Sequence, residues 1–299
     1  MLQETKPILD TSFDQTKTRH RQLIDHFNIK PIEPICNDEF IKIPIDLPWN
    51  DLEKDTPLAF EKFGWYGMIH RMRNDWTRSK LYGGLGLTYN PNYVFNIPKH
   101  AQGLGQPRSV DFNMDPSIWL ETLREYNHDK HKGENIVTGL NTYDDPLGLH
   151  APTEVTKFRS LSSIFTKLKR PIFQGRLAEL RAKDHGTNLS NEEKELTWHT
   201  DEQNEIVARL LIPICYSEDY YIEFKESGTK LYFEPGYAYH WNTLKIHRWA
   251  FNYHPKIKNR TCVVVGWSPW LDFDGVSWST NEYCGKMHPT DMIKNGLVI

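Results

Sequence analysis

The sequence predicts an α+β protein whose β-structure is concentrated in its C-terminal half. Three observations lead there. Between Ile172 and Trp267 the chain breaks into short β-like runs separated by turn signals. Before Pro171 the apolar residues recur mostly at helical spacing. No internal repeat and no low-complexity linker divides the two regions, so helices packed outside a β-sandwich or barrel, within one domain, are expected.

In chain order, residues 11–28 read as a polar helix with Phe13, Leu23, Ile24 and Phe27 as its sparse apolar positions. Ile41–Ile45 alternates and reads as an edge strand, where Pro44 is tolerated. Asp115-Pro116 opens a helix, with Asp as N-cap, Pro at the first position, and Ile118, Trp119, Leu123 and Tyr126 on one face. A further helix is expected from Thr153 to Lys169, with Leu161, Ile164, Phe165 and Leu168 facing inward and Pro171 ending it. The strands follow at Ile172–Arg181, Trp198–Asp201, Arg209–Ile214, Tyr220–Lys225, Lys230–Phe233, Tyr237–Trp241, Lys245–Tyr253 and Arg260–Trp267. Turns at Glu226-Ser227-Gly228 and Glu234-Pro235-Gly236 separate two pairs of them.

Composition narrows the function classes. In 299 residues, 36 Lys+Arg balance 39 Asp+Glu, which excludes a global basic field for nucleic acid. Cys36, Cys215, Cys262 and Cys284 lie far apart with no C-x-x-C, so neither a disulfide scaffold nor a Cys-type zinc site is expected. No apolar stretch is long enough for a membrane span and no secretory signal is visible; the expectation is a cytoplasmic protein. The basic set Lys157, Arg159, Lys167, Lys169 and Arg170 reads as a solvated helix face.

Three features can carry chemistry. His199-Thr200-Asp201 places an imidazole and a carboxylate on one strand face, because residues i and i+2 share it. Chance alone supplies about one or two such His-x-Asp/Glu pairs at this composition, so the pair is weak by itself; it is the only one in the chain. His247 shares a strand face with Trp249 and Phe251, and a satisfied core histidine is its bland explanation. Arg260 stands at the mouth of the apolar run Thr261–Trp267, where a guanidinium is costly to bury unless it meets an anion. Order strengthens the set. The His199-x-Asp201 pair, His247 and Arg260 fall on separate strands of one β-region; two His and one carboxylate make the facial triad that leaves open positions on non-haem Fe(II), and a neighbouring Arg suits an oxo-acid.

These residues, with Pro235-Gly236, Asn242-Thr243 and Asn252, resemble the Fe(II)/2-oxoglutarate-dependent dioxygenases, closest to the branch of aspartyl/asparaginyl β-hydroxylases and free-proline hydroxylases. The resemblance covers residues 172–270. It implies a double-stranded β-helix (jelly-roll, cupin-like) core over 171–270 within a single domain 1–299. Residues 1–170 then cover the core, and 271–299 form a C-terminal extension. It implies Fe(II) on His199, Asp201 and His247, and 2-oxoglutarate with its distal carboxylate on Arg260. Arg209 is a second candidate for a carboxylate of cosubstrate or substrate, against an equally weighted salt bridge at the sheet edge. With O2, 2-oxoglutarate would yield succinate and CO2 while a substrate C–H is hydroxylated. The substrate, a small molecule or a peptide side chain, stays open, as does oligomeric state; membrane and nucleic-acid partners are not expected. Two other readings remain: a non-catalytic jelly-roll or carbohydrate-binding module, and a cupin-type metalloenzyme without 2-oxoglutarate. The turn Tyr253–Asn259 is longer than that branch suggests. The glycine-rich Tyr82–Tyr93 is expected to be either a loop closing over substrate or a rigid turn with packed tyrosines.

Overall fold

The computed structural model describes residues 19–33, 35, 38–68, 82–91, 99–102, 109–111, 147–182, 198–200, 206–215 and 218–299. Its strands are β1 (Phe40–Pro44), β2 (Tyr66–Met68), β3 (Tyr82–Gly86), β4 (Thr88–Tyr89), β5 (Ser109–Asp111), β6 (Ala151–Pro152), β7 (Ile172–Leu180) and β8 (Ala208–Cys215). They continue with β9 (Tyr220–Phe224), β10 (Lys230–Tyr232), β11 (Tyr237–Trp241), β12 (His247–Phe251), β13 (Arg260–Trp267), β14 (Leu271–Phe273) and β15 (Trp278–Thr280). The main sheet is eight-stranded in the order β1-β11-β8-β13-β7-β3-β2-β5, and a three-stranded sheet runs β10-β9-β12. Every assigned strand pair is antiparallel. From β7 onward the chain passes repeatedly from one of these sheets to the other.

β8 and β13 lie at the centre of the main sheet, and all eight residues of β13 are buried. Both read as continuous apolar runs rather than alternating ones, because both of their faces are covered. One face, with Leu210, Ile212, Val263 and Val265, joins the core that includes Leu52 and Ala59 of the helix Trp49–Phe63. The other, with Leu211, Cys262 and Val264, meets Ile222, Phe224, Leu231 and Trp241 between the two sheets. Pro213 sits in β8 opposite Cys262 and cannot donate to the ladder. The register shifts there, between Thr261 and Cys262.

The strand expectations over 172–267 hold closely except at Trp198–Asp201, where the described residues form an isolated bridge at His199, and β1 is the sheet edge where Pro44 is tolerated. Two expectations are corrected, and one helix appears where none was expected. The helix over 153–169 is instead two 3-10 turns, Glu154–Lys157 and Arg159–Leu161, and a short helix Ser162–Lys167. Asp55 causes the break. It accepts hydrogen bonds from the Ser160 N–H and hydroxyl at 3.1 and 2.7 Å and pairs with Arg159 at 3.2 Å, and Arg159 adopts φ 45°. The helix Trp49–Phe63 was not expected; it carries Pro57 in its interior. The glycine-rich segment is not a loop over its described part: Tyr82–Gly86 is β3, paired with β7, and Tyr89 is buried in β4. The expected helix from Asp115 and residues 11–18 of the expected N-terminal helix lie outside the described residues; Arg19–His26 is helical.

β3 needs its glycine. Gly84 has φ 146°, and a Cβ there would stand 1.9 Å from the Leu177 carbonyl oxygen. That oxygen is backbone in a central ladder and cannot yield cheaply. Gly84→Ala is therefore expected to cost about 2–4 kcal/mol from overpacking and strain, read as a fall in the urea midpoint at unchanged slope.

Candidate active site

The site is assembled where the segment 198–200 meets β12. His199 and His247 face each other as an antiparallel bridge, each N–H donating to the other's carbonyl at 3.0 Å. Residues directly opposite on antiparallel strands present their side chains on one face. The two imidazoles accordingly lie 4.7 Å apart between ring centroids. His247 is fully buried. Its Nδ1 lies 2.8 Å from the Lys245 carbonyl, which can only accept, so Nδ1 carries the proton and Nε2 the lone pair. Asp201 lies outside the described residues.

Trp249, two residues along β12, shares the His247 face. Its ring stacks on Phe233 at 5.4 Å, and the Arg260 guanidinium sits 4.0 Å above its centre. Arg260 enters from the first position of β13 and is 5% exposed; Tyr220 flanks it at 5.5 Å. Burial pushes the Tyr220 phenol upward while the guanidinium pulls it down. The Arg260 Nε and Nη1 are buried and have no hydrogen-bond partner among the described residues. A guanidinium stacked on two rings with donors left over is built to receive acceptor atoms.

Arg209 stands elsewhere. It pairs with Gly266, six positions along β13 from Arg260, which is about 20 Å of strand. It donates to Gln174 Oε1 at 2.9 Å. The two arginines are not brought together on one carboxylate. Trp198 stacks under Arg248 at 4.4 Å, which fits a packing role. The long turn 253–259 is tied down: His254 pairs with Asp219 at 2.9 Å, and the Tyr220 hydroxyl donates to the Lys258 carbonyl at 2.7 Å. Sequence reasoning missed Trp241 as a neighbour of His247, although its place at the end of the Tyr237–Trp241 alternation carried the signal.

A second buried histidine, His240, lies on β11 outside this cluster. Its Nδ1 donates to the Arg209 carbonyl at 2.9 Å, and burial, with His288 nearby, lowers its pKa to about 4. The unfolded chain takes up that proton near pH 6.5, and the folded chain does not until about pH 4. Stability is therefore lost as pH falls from about 6.5 to 4, by about 3 kcal/mol from this group alone. Urea unfolding at pH 7 and pH 4.5 reads this loss, and His240→Gln should shrink it.

Compared with known families and characterised proteins, no family model matches the chain and no curated protein sequence matches it. Solved structures that resemble it include members of the 2OG-Fe(II) oxygenase family. An oxidoreductase of that family from Burkholderia pseudomallei is 10% identical, with 77% of this chain and 84% of that one covered at TM-score 0.33. A full-length Neurospora crassa protein in complex with alpha-KG is 10% identical over 92% of this chain and 88% of that one, at TM-score 0.34. NgTET1 in complex with 5mC DNA is 13% identical over 80% and 73%, at TM-score 0.31. These likenesses are remote, and the chemistry has to be argued from this chain's own side chains. Among the described residues, no helix is long and apolar enough to cross a membrane.

Proposed function

We propose that the protein is an Fe(II)- and 2-oxoglutarate-dependent oxygenase that hydroxylates a C–H bond of a small-molecule or peptide substrate. The observation that carries the reading is Arg260: 5% exposed, stacked on Trp249 of the His247 face, with Nε and Nη1 unpartnered among the described residues. A five-carbon oxo-diacid has a chelating end for a metal and a distal carboxylate for such a fork. A cupin-type metalloenzyme without 2-oxoglutarate has no use for that buried cation.

In this reading His199, Asp201 and His247 hold Fe(II), and the bound metal with 2-oxoglutarate and O2 supplies the oxidising chemistry, releasing succinate and CO2. The chain's own contribution is positional. The Lys245 carbonyl fixes the His247 tautomer so that Nε2 presents its lone pair. The cross-strand bridge fixes His199 beside it. Arg260 orients the cosubstrate from the far side of Trp249, and the aromatic wall of Phe233, Trp241 and Trp249 excludes water from the space between. The strand orders support a double-stranded β-helix. β7-β13-β8-β11 form one layer; the 198–200 segment, β12, β9 and β10 form the other; and the chain alternates between them. Arg209 is retained as a candidate for a carboxylate on the substrate.

Anaerobic titration with Fe(II) and 2-oxoglutarate tests the class. The expected result is a visible charge-transfer absorption that needs both components and saturates at one metal per chain. Metal binding without that absorption returns the cupin reading; no metal binding returns the binding-module reading.

A further inference from the structure

Trp241 makes a contact that the proposed mechanism does not use. It is 2% exposed at the end of β11, and its Nε1–H donates to His247 Nε2 at 3.3 Å, with the rings 6.3 Å apart at 76°. Nδ1 of the same imidazole is committed to the Lys245 carbonyl at 2.8 Å. A neutral imidazole has one acceptor nitrogen, so Nε2 offers a single lone pair in the ring plane. That lone pair serves an indole N–H or a metal ion, and not both.

We infer that Trp241 is a positioning residue whose indole N–H competes with the metal ion for His247 Nε2 and must turn aside when the metal binds. The inference rests on the reading of His247 as a metal-binding residue. A metal ion held by His247 would take the Nε2 lone pair that the indole N–H now engages. The contact keeps a buried acceptor satisfied and holds the ring in its ligating tautomer. In exchange, the metal gives up the worth of one hydrogen bond on entering. Trp249 packs edge to face with Trp241 at 6.1 Å and 86°, which keeps the indole in contact with the aromatic wall.

The test uses the full chain and Zn(II) alone as a diamagnetic probe, with two readouts. Calorimetry compares wild type with Trp241→Phe, which keeps an aromatic ring and removes the donor. The variant is expected to bind Zn(II) about three- to ten-fold more tightly, the range of one neutral hydrogen bond. Proton–nitrogen NMR of the wild type follows the Trp241 indole resonance, which is expected to move to an unbonded position as Zn(II) saturates. Should the Phe variant not fold, the wild-type resonance decides alone. Equal affinities with an unmoved resonance overturn the inference and leave the metal reading intact. An absence of Zn(II) binding by wild type removes the metal reading and the inference with it.

Discussion

Replacing Arg260 with Ala is expected to raise the apparent 2-oxoglutarate constant by about ten- to a hundred-fold, the loss of a charge-assisted bidentate contact of about 1.5–3 kcal/mol. Lys at this position should recover only part of the affinity, because it offers a point charge where the site holds a planar fork against Trp249. The same residue makes an unusual prediction for stability. An arginine that exists to hold the fold loses stability when removed. Arg260 has buried Nε and Nη1 with no hydrogen-bond partner among the described residues, so its burial is a cost to the ligand-free chain. Arg260→Met, which refills the volume beneath Tyr220 and over Trp249, should therefore melt no lower than the parent. With Mn(II) present throughout, added 2-oxoglutarate should raise the melting temperature of the parent clearly and that of the variant much less. A variant that melts several degrees lower and still binds 2-oxoglutarate normally would make Arg260 structural, and the cosubstrate assignment would fall.

How far the site was legible depended on whether its signals were local. Short apolar runs, alternating in some strands and continuous in β8 and β13, and the turns at Glu226–Gly228 and Glu234–Gly236 outline β7 to β13, because each strand's hydrophobic pattern is a property of that strand. Order placed His199 and His247 on separate strands of one β-region, and the bridge that sets them opposite each other is a property of the fold. What failed was non-local. Thr153–Lys169 keeps helical spacing, yet Asp55, far away in sequence, captures Ser160 and breaks it. Tyr82–Gly86 has no apolar alternation at all. It becomes a strand because glycine lets β3 approach the Leu177 carbonyl, a fact about β7 and not about the glycines. The helix Trp49–Phe63 was not expected, and it forms around the interior Pro57 with Leu52 and Ala59 buried in the core shared with the main sheet. Arg209 was the second candidate beside Arg260, each being an arginine near the start of an apolar strand. The antiparallel register of β8 on β13 sends those two strand starts to opposite ends of the sheet.

Removing the His247 imidazole should abolish iron retention, from one Fe(II) per chain to none after anaerobic dialysis, because His199 and Asp201 alone leave a two-point site. The choice of substitution decides what the experiment means. His247 is fully buried and makes two hydrogen bonds, to the Lys245 carbonyl and from the Trp241 indole. His247→Ala strands the indole N–H and opens a cavity, at a cost of about 1–3 kcal/mol for the unsatisfied donor alone. Loss of iron in that variant could then be blamed on a damaged core. His247→Gln keeps an amide oxygen that can accept from Trp241 and fills more of the space, while its neutral amide is a poor ligand for Fe(II). The expected pattern is that both variants lose iron, the Ala variant is the less stable in urea, and the Gln variant stays close to the parent. Full iron occupancy in the Gln variant would remove His247 from the metal site, whatever its stability.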